Sequence, residues 1–243
     1  MIDFHSHVLP GIDDGSRDTD ESLELLRLCS EQGVTKIAAT PHFYPNDDTP
    51  ERFLRRRDEA ALRLKERLGD EQLADSAPEI ILGAEVYYFA GISTNDSVGT
   101  LRLGDTGILL LEMPFAKWSS SMVSEILDLH GKNGITVMMA HIERYLHYQG
   151  DDVWEALLKR GVIMQSNAEF FTDWKTKRRA LKMLRTGRIH VLGSDCHNVK
   201  DRTENMGKAY ELLNGRDKEL LHDNEEYIIR IGVRERAADP AGV

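Results

Sequence analysis

The chain alternates short apolar runs with amphipathic stretches, and nearly every apolar run ends in a side chain able to ligate a metal or bind a substrate. The first residues lead into His5 and His7. Lys36–Thr40 leads to His42, Glu79–Ala84 to Glu85, and Gly107–Leu111 to Glu112. Thr136–Ala140 then leads to His141, Val162–Ser166 to Asn167, and Ile189–Ser194 to Asp195 and His197. Short runs rich in branched aliphatic residues are typical of parallel strands covered on both faces. Asp18, with Glu21 three residues on, reads as the capped start of a helix that closes at Gly33. Thr49-Pro50 opens a second helix running to about Leu68. Further helices are expected over Ser119–Lys132, Asp151–Arg160, Asp173–Arg185 and Thr203–Leu213, and Lys218 to about Ile231 is a last helix or a short strand. Thr100–Leu103 reads as a small extra strand, and the tail Ala237–Val243 is expected to fray.

The count is about seven β-then-α units, which fits either a doubly wound sheet or a (β/α) barrel. A doubly wound sheet concentrates its ligands at one switch point. A barrel gathers residues from many strand ends at one face. The distribution of candidate ligands around the whole chain therefore favours an α/β barrel, with residues 1–243 as a single domain. No linker-like or low-complexity tract divides them.

His5 and His7 stand at i and i+2, so a strand directs both imidazoles to one face, where they can grip one metal ion. Asp13 and Asp14 follow in a Pro/Gly-bearing loop that can fold back over that face. His5, His7, Asp14, His42, Glu85, Glu112, His141, Asp195 and His197 together exceed what one ion can use. A mixed imidazole and carboxylate set without thiolate suits Mn, Fe or Zn at a catalytic centre. Several such ions close together clamp a phosphoryl group and generate hydroxide at neutral pH.

Composition narrows the partners. Net charge is −10, and the one dense basic triplet, Arg55-Arg56-Arg57, lies among acidic residues on a helix; this argues against nucleic acid. Cys29 and Cys196 make no disulfide framework, and no signal peptide or membrane-spanning run is present, so a cytoplasmic protein without membrane insertion is expected.

Asp3-Phe-His-Ser-His7, Gly11-Ile-Asp-Asp-Gly15, Thr40-Pro-His42, Gly83-Ala-Glu85, Ala140-His-Ile-Glu-Arg-Tyr145 and Gly193-Ser-Asp-Cys-His-Asn198 resemble motifs of the PHP (polymerase and histidinol phosphatase) superfamily. More narrowly, the chain resembles the superfamily's bacterial protein-tyrosine phosphatases of capsular and exopolysaccharide biosynthesis. The resemblance spans residues 1 to about 205. It implies a distorted (β/α)7 TIM-like barrel, the PHP fold, with up to three divalent ions, commonly manganese. His5, His7, Glu85 and Asp195 would hold one ion. Glu85 would bridge to a second, completed by Glu112 and His141, and Asp14, His42 and His197 would hold the third. Arg144 and Arg202 match the positions that bind phosphate. The implied activity is hydrolysis of phosphotyrosine on a protein, the tail of a bacterial tyrosine kinase that regulates polysaccharide synthesis. Two departures are Cys196 between Asp195 and His197, and Ile142 after His141 in place of the frequent proline.

Three other readings compete. Cys196 to Arg202 matches the Cys-x5-Arg signature of cysteine-based tyrosine phosphatases, but the segment has no glycine and carries Asp201, so the match reads as chance. A small-molecule phosphatase of the histidinol-phosphatase type shares the fold. A non-catalytic metal-binding regulator is disfavoured by the two arginines. His130, His147, His190 and His222 are off the ligand pattern, and Tyr87, Tyr88 and Phe89 either border the site or pack in the core.

Overall fold

In a computed structural model, described over residues 1–69 and 77–238, the apolar runs form parallel strands in a curled sheet with helices outside. The strands are β1 (Ile2–Ser6), β2 (Lys36–Ala39), β3 (His42–Phe43), β4 (Glu79–Leu82), β5 (Glu85–Tyr87), β6 (Ile108–Glu112), β7 (Thr136–Met139), β8 (Ile163–Asn167) and β9 (Val191–Gly193). The helices are α1 (Thr19–Glu31), α2 (Pro50–Gly69), α3 (Ser120–Leu129), α4 (Asp151–Arg160), α5 (Glu169–Thr172), α6 (Lys177–Arg185), α7 (Met206–Glu211) and α8 (Gly215–Ala238). Strand order is β1-β2-β4 in one sheet and β3-β5-β6-β7-β8-β9 in the other, and every pairing is parallel.

The two sheets are continuous across two interruptions. β2 and β3 are halves of one run broken at Thr40-Pro41, where proline has no N–H to give to a ladder. β4 and β5 are broken beside them at Gly83-Ala84. Backbone bonds span the gap: Gly83 N–H donates to Ala39 O (2.9 Å) and Glu85 N–H to Pro41 O (3.0 Å). At the far edge Ser6 bridges Cys196, His7 N–H donates to Cys196 O (2.9 Å), and Asp195 N–H donates to His5 O (2.8 Å), so β1 meets the end of β9.

Alternation along the strands sorts the core. Leu109 and Leu111 of β6 and Val137 and Met139 of β7 pack outward with Leu25, Leu26, Phe53 and Trp154 of the helices. Ile108, Leu110 and Met138 point the other way, into a smaller cluster with Phe4, Ala38 and Val191. Ile228 of α8 joins that inner cluster, opposite the end where the strands deliver their polar residues. Burial of each such aliphatic side chain contributes about 1.5–3 kcal/mol.

Three expectations change. Thr100–Leu103 is not a strand: a 3-10 helix covers Asp96–Leu101, with Thr100 Oγ donating to Ser97 O (2.7 Å) and Arg102 Nε to Gly99 O (2.6 Å). These local bonds satisfy groups that a strand would have given to a neighbour. The helix expected from Asp173 starts at Lys177, because the Asp173 carboxylate accepts from Lys175 N–H (2.9 Å) in a turn, and the short α5 precedes it. The segment from Lys218 is helical, within α8. The expected fraying of the tail falls mostly on residues 239–243, outside the described residues. No helix among the described residues is long and apolar enough to cross a membrane.

Candidate metal centre

The C-terminal ends of the strands and the loops after them gather eight polar side chains around one carboxylate. Glu85, at the start of β5 just after the interruption, is buried. Its Oε2 lies 3.2 Å from His5 Nε2, 3.3 Å from His7 Nε2 and 2.9 Å from His42 Nδ1, and its Oε1 lies 2.9 Å from His141 Nε2. Asp195 Oδ1 is 3.7, 3.5 and 3.5 Å from His5, His7 and His197. Glu112 reaches within 3.7 Å of His141 and 3.9 Å of His42. Asp14, the one well-exposed member, sits 3.4 Å from both His42 Nε2 and His197 Nε2.

Within the nine candidate ligands, four groups are compact enough to share an ion: His7 with Asp14, His42 and His197; His5 with Glu85 and His141; His5 and His7 with Asp195; and His42 with Glu85 and Glu112. These groupings overlap, so His5, His7 and His42 each face two sets where the resemblance allots them one.

Hydrogen bonding tests whether ions fit. His42 Nδ1, Glu85 Oε2, His141 Nδ1 and His197 Nε2 are buried without a hydrogen-bond partner. Leaving a buried polar atom unpaired costs about 1–3 kcal/mol, so a cluster of them calls for another partner. His5 Nε2 and His7 Nε2 face each other at 3.1 Å. Two ligands about 2.1 Å from one ion at near-right angles stand about 3 Å apart. The donor set therefore fits divalent cations.

Outer contacts set the ring orientations. His7 Nδ1 donates to Asp13 Oδ2 (2.7 Å), His5 Nδ1 faces Gln165 Oε1 (3.3 Å), and His197 Nδ1 donates to Asp195 O (2.9 Å). Each leaves Nε2 turned to the centre, the usual arrangement behind a ligating imidazole. Asp13 Oδ2 also accepts His42 N–H (3.0 Å), and Gln165 Oε1 accepts His141 N–H (2.6 Å). Two glycines permit the close packing. A Cβ on Gly193 would lie 2.6 Å from His5 Cβ, and one on Gly15 would lie 2.5 Å from His7 Cβ. His141 (φ 30°) and Asp195 (φ 53°) both adopt the left-handed backbone region.

Charge is shared unevenly. Burial pushes Glu112 up to about 7, with Glu85 adding to the effect. Burial also lowers His197 to about 4, assisted by the neighbouring His7. Burial opposes ionisation of Asp195, but His5, His7 and Arg144 hold its carboxyl well below the usual range. Two guanidinium groups grip that carboxylate: Arg144 Nη2 at 2.6 Å from Oδ2 and Arg202 Nη2 at 2.8 Å from Oδ1. Both arginines remain part-exposed and so face the opening.

All nine candidate ligands and both arginines thus come together. Asn167, expected at its strand end, donates Nδ2 to Asp195 Oδ2 (2.8 Å). Sequence reading passed over Gln165 and the supporting role of Asp13; the only signal for Gln165 was its place two residues before Asn167, on the same strand face. It also missed two exposed rings. Phe115 stacks 6.0 Å from the His141 ring, and Tyr44 stacks 5.2 Å from His42 and meets Tyr87 at a tilt with ring centroids 5.7 Å apart. Tyr87 therefore borders the centre through Tyr44, whereas Tyr88 and Phe89 pack against the core. His130 and His190 accept backbone N–H groups and serve packing. Cys196 is fully buried with Cys29 and Glu204, which keeps its thiol out of reach of a phosphate ester.

Fold and site together define a parallel α/β protein with a multi-histidine, multi-carboxylate centre of metallohydrolase type. The family model for capsular polysaccharide synthesis, CpsB/CapC, matches residues 1–230. Tyrosine-protein phosphatase YwqE of Bacillus subtilis is 31% identical over 247 residues, covering 95% of this chain and 92% of that protein. Tyrosine-protein phosphatase CpsB of Streptococcus pneumoniae is 32% identical over 260 residues, covering 94% and 98%. A solved chain from the crystal structures of YwqE and CpsB, described as unique metal-dependent tyrosine phosphatases, superposes with a TM-score of 0.81 at 27% identity, covering 97% of this chain and 95% of that one. The chain belongs to the CpsB/CapC family of capsular polysaccharide synthesis.

Proposed function

We propose that this protein is a metal-dependent protein-tyrosine phosphatase that removes phosphate from a bacterial tyrosine kinase regulating capsular or exopolysaccharide synthesis. The observation that carries this reading is the convergence of Arg144 and Arg202 on Asp195, beside a carboxylate hub contacted by four imidazoles. His5, His7, Asp14, His42, Glu85, Glu112, His141, Asp195 and His197 are the ligands, for up to three ions, manganese first among the candidates. We read the whole chain as one cytoplasmic domain, and the meeting of β1 with β9 supports a distorted (β/α)7 barrel of PHP type.

When bound, such ions supply Lewis acidity and a water-derived nucleophile at neutral pH. The chain's own residues do the rest. Arg144 and Arg202 present planar N–H forks able to hold two phosphate oxygens and to neutralise charge as it builds on them. Asp13, Gln165 and the Asp195 carbonyl keep three imidazoles aimed inward. Phe115 (47% exposed) and Tyr44 (39% exposed) stand over His141 and His42, whose rings contact the two oxygens of Glu85. An aryl group entering between them meets apolar faces, which favours an aryl ester over a charged alkyl one. A phenol near pKa ~10 leaves readily, so protonating the leaving oxygen matters less than for an alkyl phosphate.

The test compares kcat/KM on a phosphotyrosine peptide, a phosphoserine peptide and histidinol phosphate, with metal content measured on the same samples. Preference for phosphotyrosine supports the proposal. A wide preference for histidinol phosphate makes the protein a small-molecule phosphatase, and no turnover with metal fully loaded makes it a binding regulator.

A further inference from the structure

Trp174 is 82% exposed, the most open of the large apolar side chains among the described residues. It lies between α5 and α6, with the Lys175 ammonium 5.6 Å from its ring centroid. Residues 174–188 carry seven Lys or Arg and no carboxylate, in a chain with 41 acidic and 31 basic residues. Arg185 is neutralised by Asp217 and Arg188 by Asp151. Lys175, Lys177, Arg178, Arg179 and Lys182 have no carboxylate partner among the described residues. Helical spacing explains the pattern: Ala180, Met183 and Leu184 bury one face of α6, which leaves Arg178, Arg179, Lys182 and Arg185 on the other. A concavity of about 800 Å³ beside that face is walled by Arg179, Lys182 and the paired Arg188 and Asp151, with Trp154 and Met183 behind them.

We infer that this face docks the protein on an anionic membrane surface. Charge complementarity selects the occupant. Each basic side chain near an anionic leaflet adds roughly tenfold or less to binding, and the contributions compound over a cluster. Tryptophan settles at the headgroup level, where its ring is buried and its indole N–H stays wet. A cationic face with one aromatic anchor gives reversible, salt-sensitive adsorption and no insertion of a spanning element. The acidic remainder of the chain is repelled by the same surface, which fixes the orientation. Asn167 at the end of β8 bonds Asp195, and Trp174 follows it by seven residues, before α6 runs back toward β9. Chain order therefore puts Trp174 on the strand-end side of the sheet, the side that gathers the metal-centre residues.

The test uses the full chain with vesicles of 30% phosphatidylserine in phosphatidylcholine, or of phosphatidylcholine alone, at low and high salt. Cosedimentation with the anionic vesicles is expected at low salt and is lost at high salt or without phosphatidylserine. The triple substitution Arg178→Glu, Arg179→Glu, Lys182→Glu is expected to weaken it by roughly 100-fold or more. Trp118 and Trp154 are buried, so a vesicle-induced blue shift of the emission must come from Trp174 and vanish in Trp174→Ala. Turnover of a soluble aryl phosphate should be unchanged in both variants, which separates this test from that of the catalytic reading. No binding to anionic vesicles at low salt overturns the inference. A change of oligomeric state in Trp174→Ala without lipid also overturns it, by showing that the face joins copies of the chain.

Discussion

His42 Nδ1 and Glu85 Oε2 lie 2.9 Å apart, both buried, and neither atom completes a hydrogen bond. Their alignment suits a shared third partner better than each other. Glu85→Gln keeps the shape and removes the charge that two or more cations would share. It should lower turnover by more than the roughly 10–100-fold typical of changes behind a ligand, and metal analysis should show sub-stoichiometric ions. Chelation should abolish turnover, and manganese should restore it along with a higher Tm. Full activity in a demonstrably metal-free sample would remove the metal from the reaction.

Arg144→Ala and Arg202→Ala should leave the ions in place and reduce kcat/KM on a phosphotyrosine peptide by about 100-fold each, the usual scale for a lost charge-stabilising donor. Loss of metal along with activity would instead assign the arginines to holding Asp195.

Cys196→Ser should retain most activity, because the thiol is buried away from the opening, whereas Asp195→Ala and His7→Ala should lose it. An inactive Cys196→Ser enzyme beside an active, metal-loaded Asp195→Ala enzyme would put the cysteine chemistry first.

Gly193→Ala forces a methyl to 2.6 Å from His5 Cβ and 2.8 Å from Gln165 Nε2. The expected cost is about 1–3 kcal/mol of stability, together with displacement of a ligand, and is measured by denaturant unfolding and metal affinity. A variant with wild-type stability and affinity would show that β9 can shift without disturbing β1.

Glu225 of α8 offers a pH probe far from the centre. It is buried, accepts from Tyr210 OH and from Ile2 N–H (3.2 Å), and burial raises its pKa above the ordinary 4.5. The folded state therefore holds its proton to higher pH than the unfolded state. Stability from this group is full below the ordinary value and declines as pH rises through the folded one. Glu225→Gln should accordingly flatten the pH dependence, gaining on the wild type as pH rises above 4.5 in urea unfolding. A constant difference across that range would show that the carboxylate ionises freely.

Much of the centre was legible because strand ends are marked in sequence by a change from aliphatic to polar. His5, His42, Glu85, Glu112, His141 and Asp195 all sit at such changes, and all converge. The grouping of the side chains was less legible, since Glu85 and His7 each face several partners through space and sequence order says nothing about distances between strands. The interruption at Gly83-Ala84 was hidden inside a continuous run, and the resumption of the strand at His42–Phe43 after Pro41 carried no apolar run of its own. Phe115 and Tyr44 escaped notice because an aromatic residue in a loop carries no periodic signal of its own. Thr100–Leu103 misled because a brief alternation of apolar and polar residues also suits a 3-10 turn.

The left-handed backbone at His141 and Asp195 limits how this centre can vary. On the proposed reading each position must supply a donor atom, and each must tolerate a torsion that costs most side chains about 1 kcal/mol or more. Histidine, aspartate and asparagine are among the few non-glycine residues at home there, and the first two are also good ligands. A longer carboxylate such as glutamate at 195 would keep the charge but meet the torsional penalty and overshoot the donor position. The repertoire of substitutions open to these two sites is therefore narrower than metal chemistry alone would allow, so the main chain takes part in choosing the ligands.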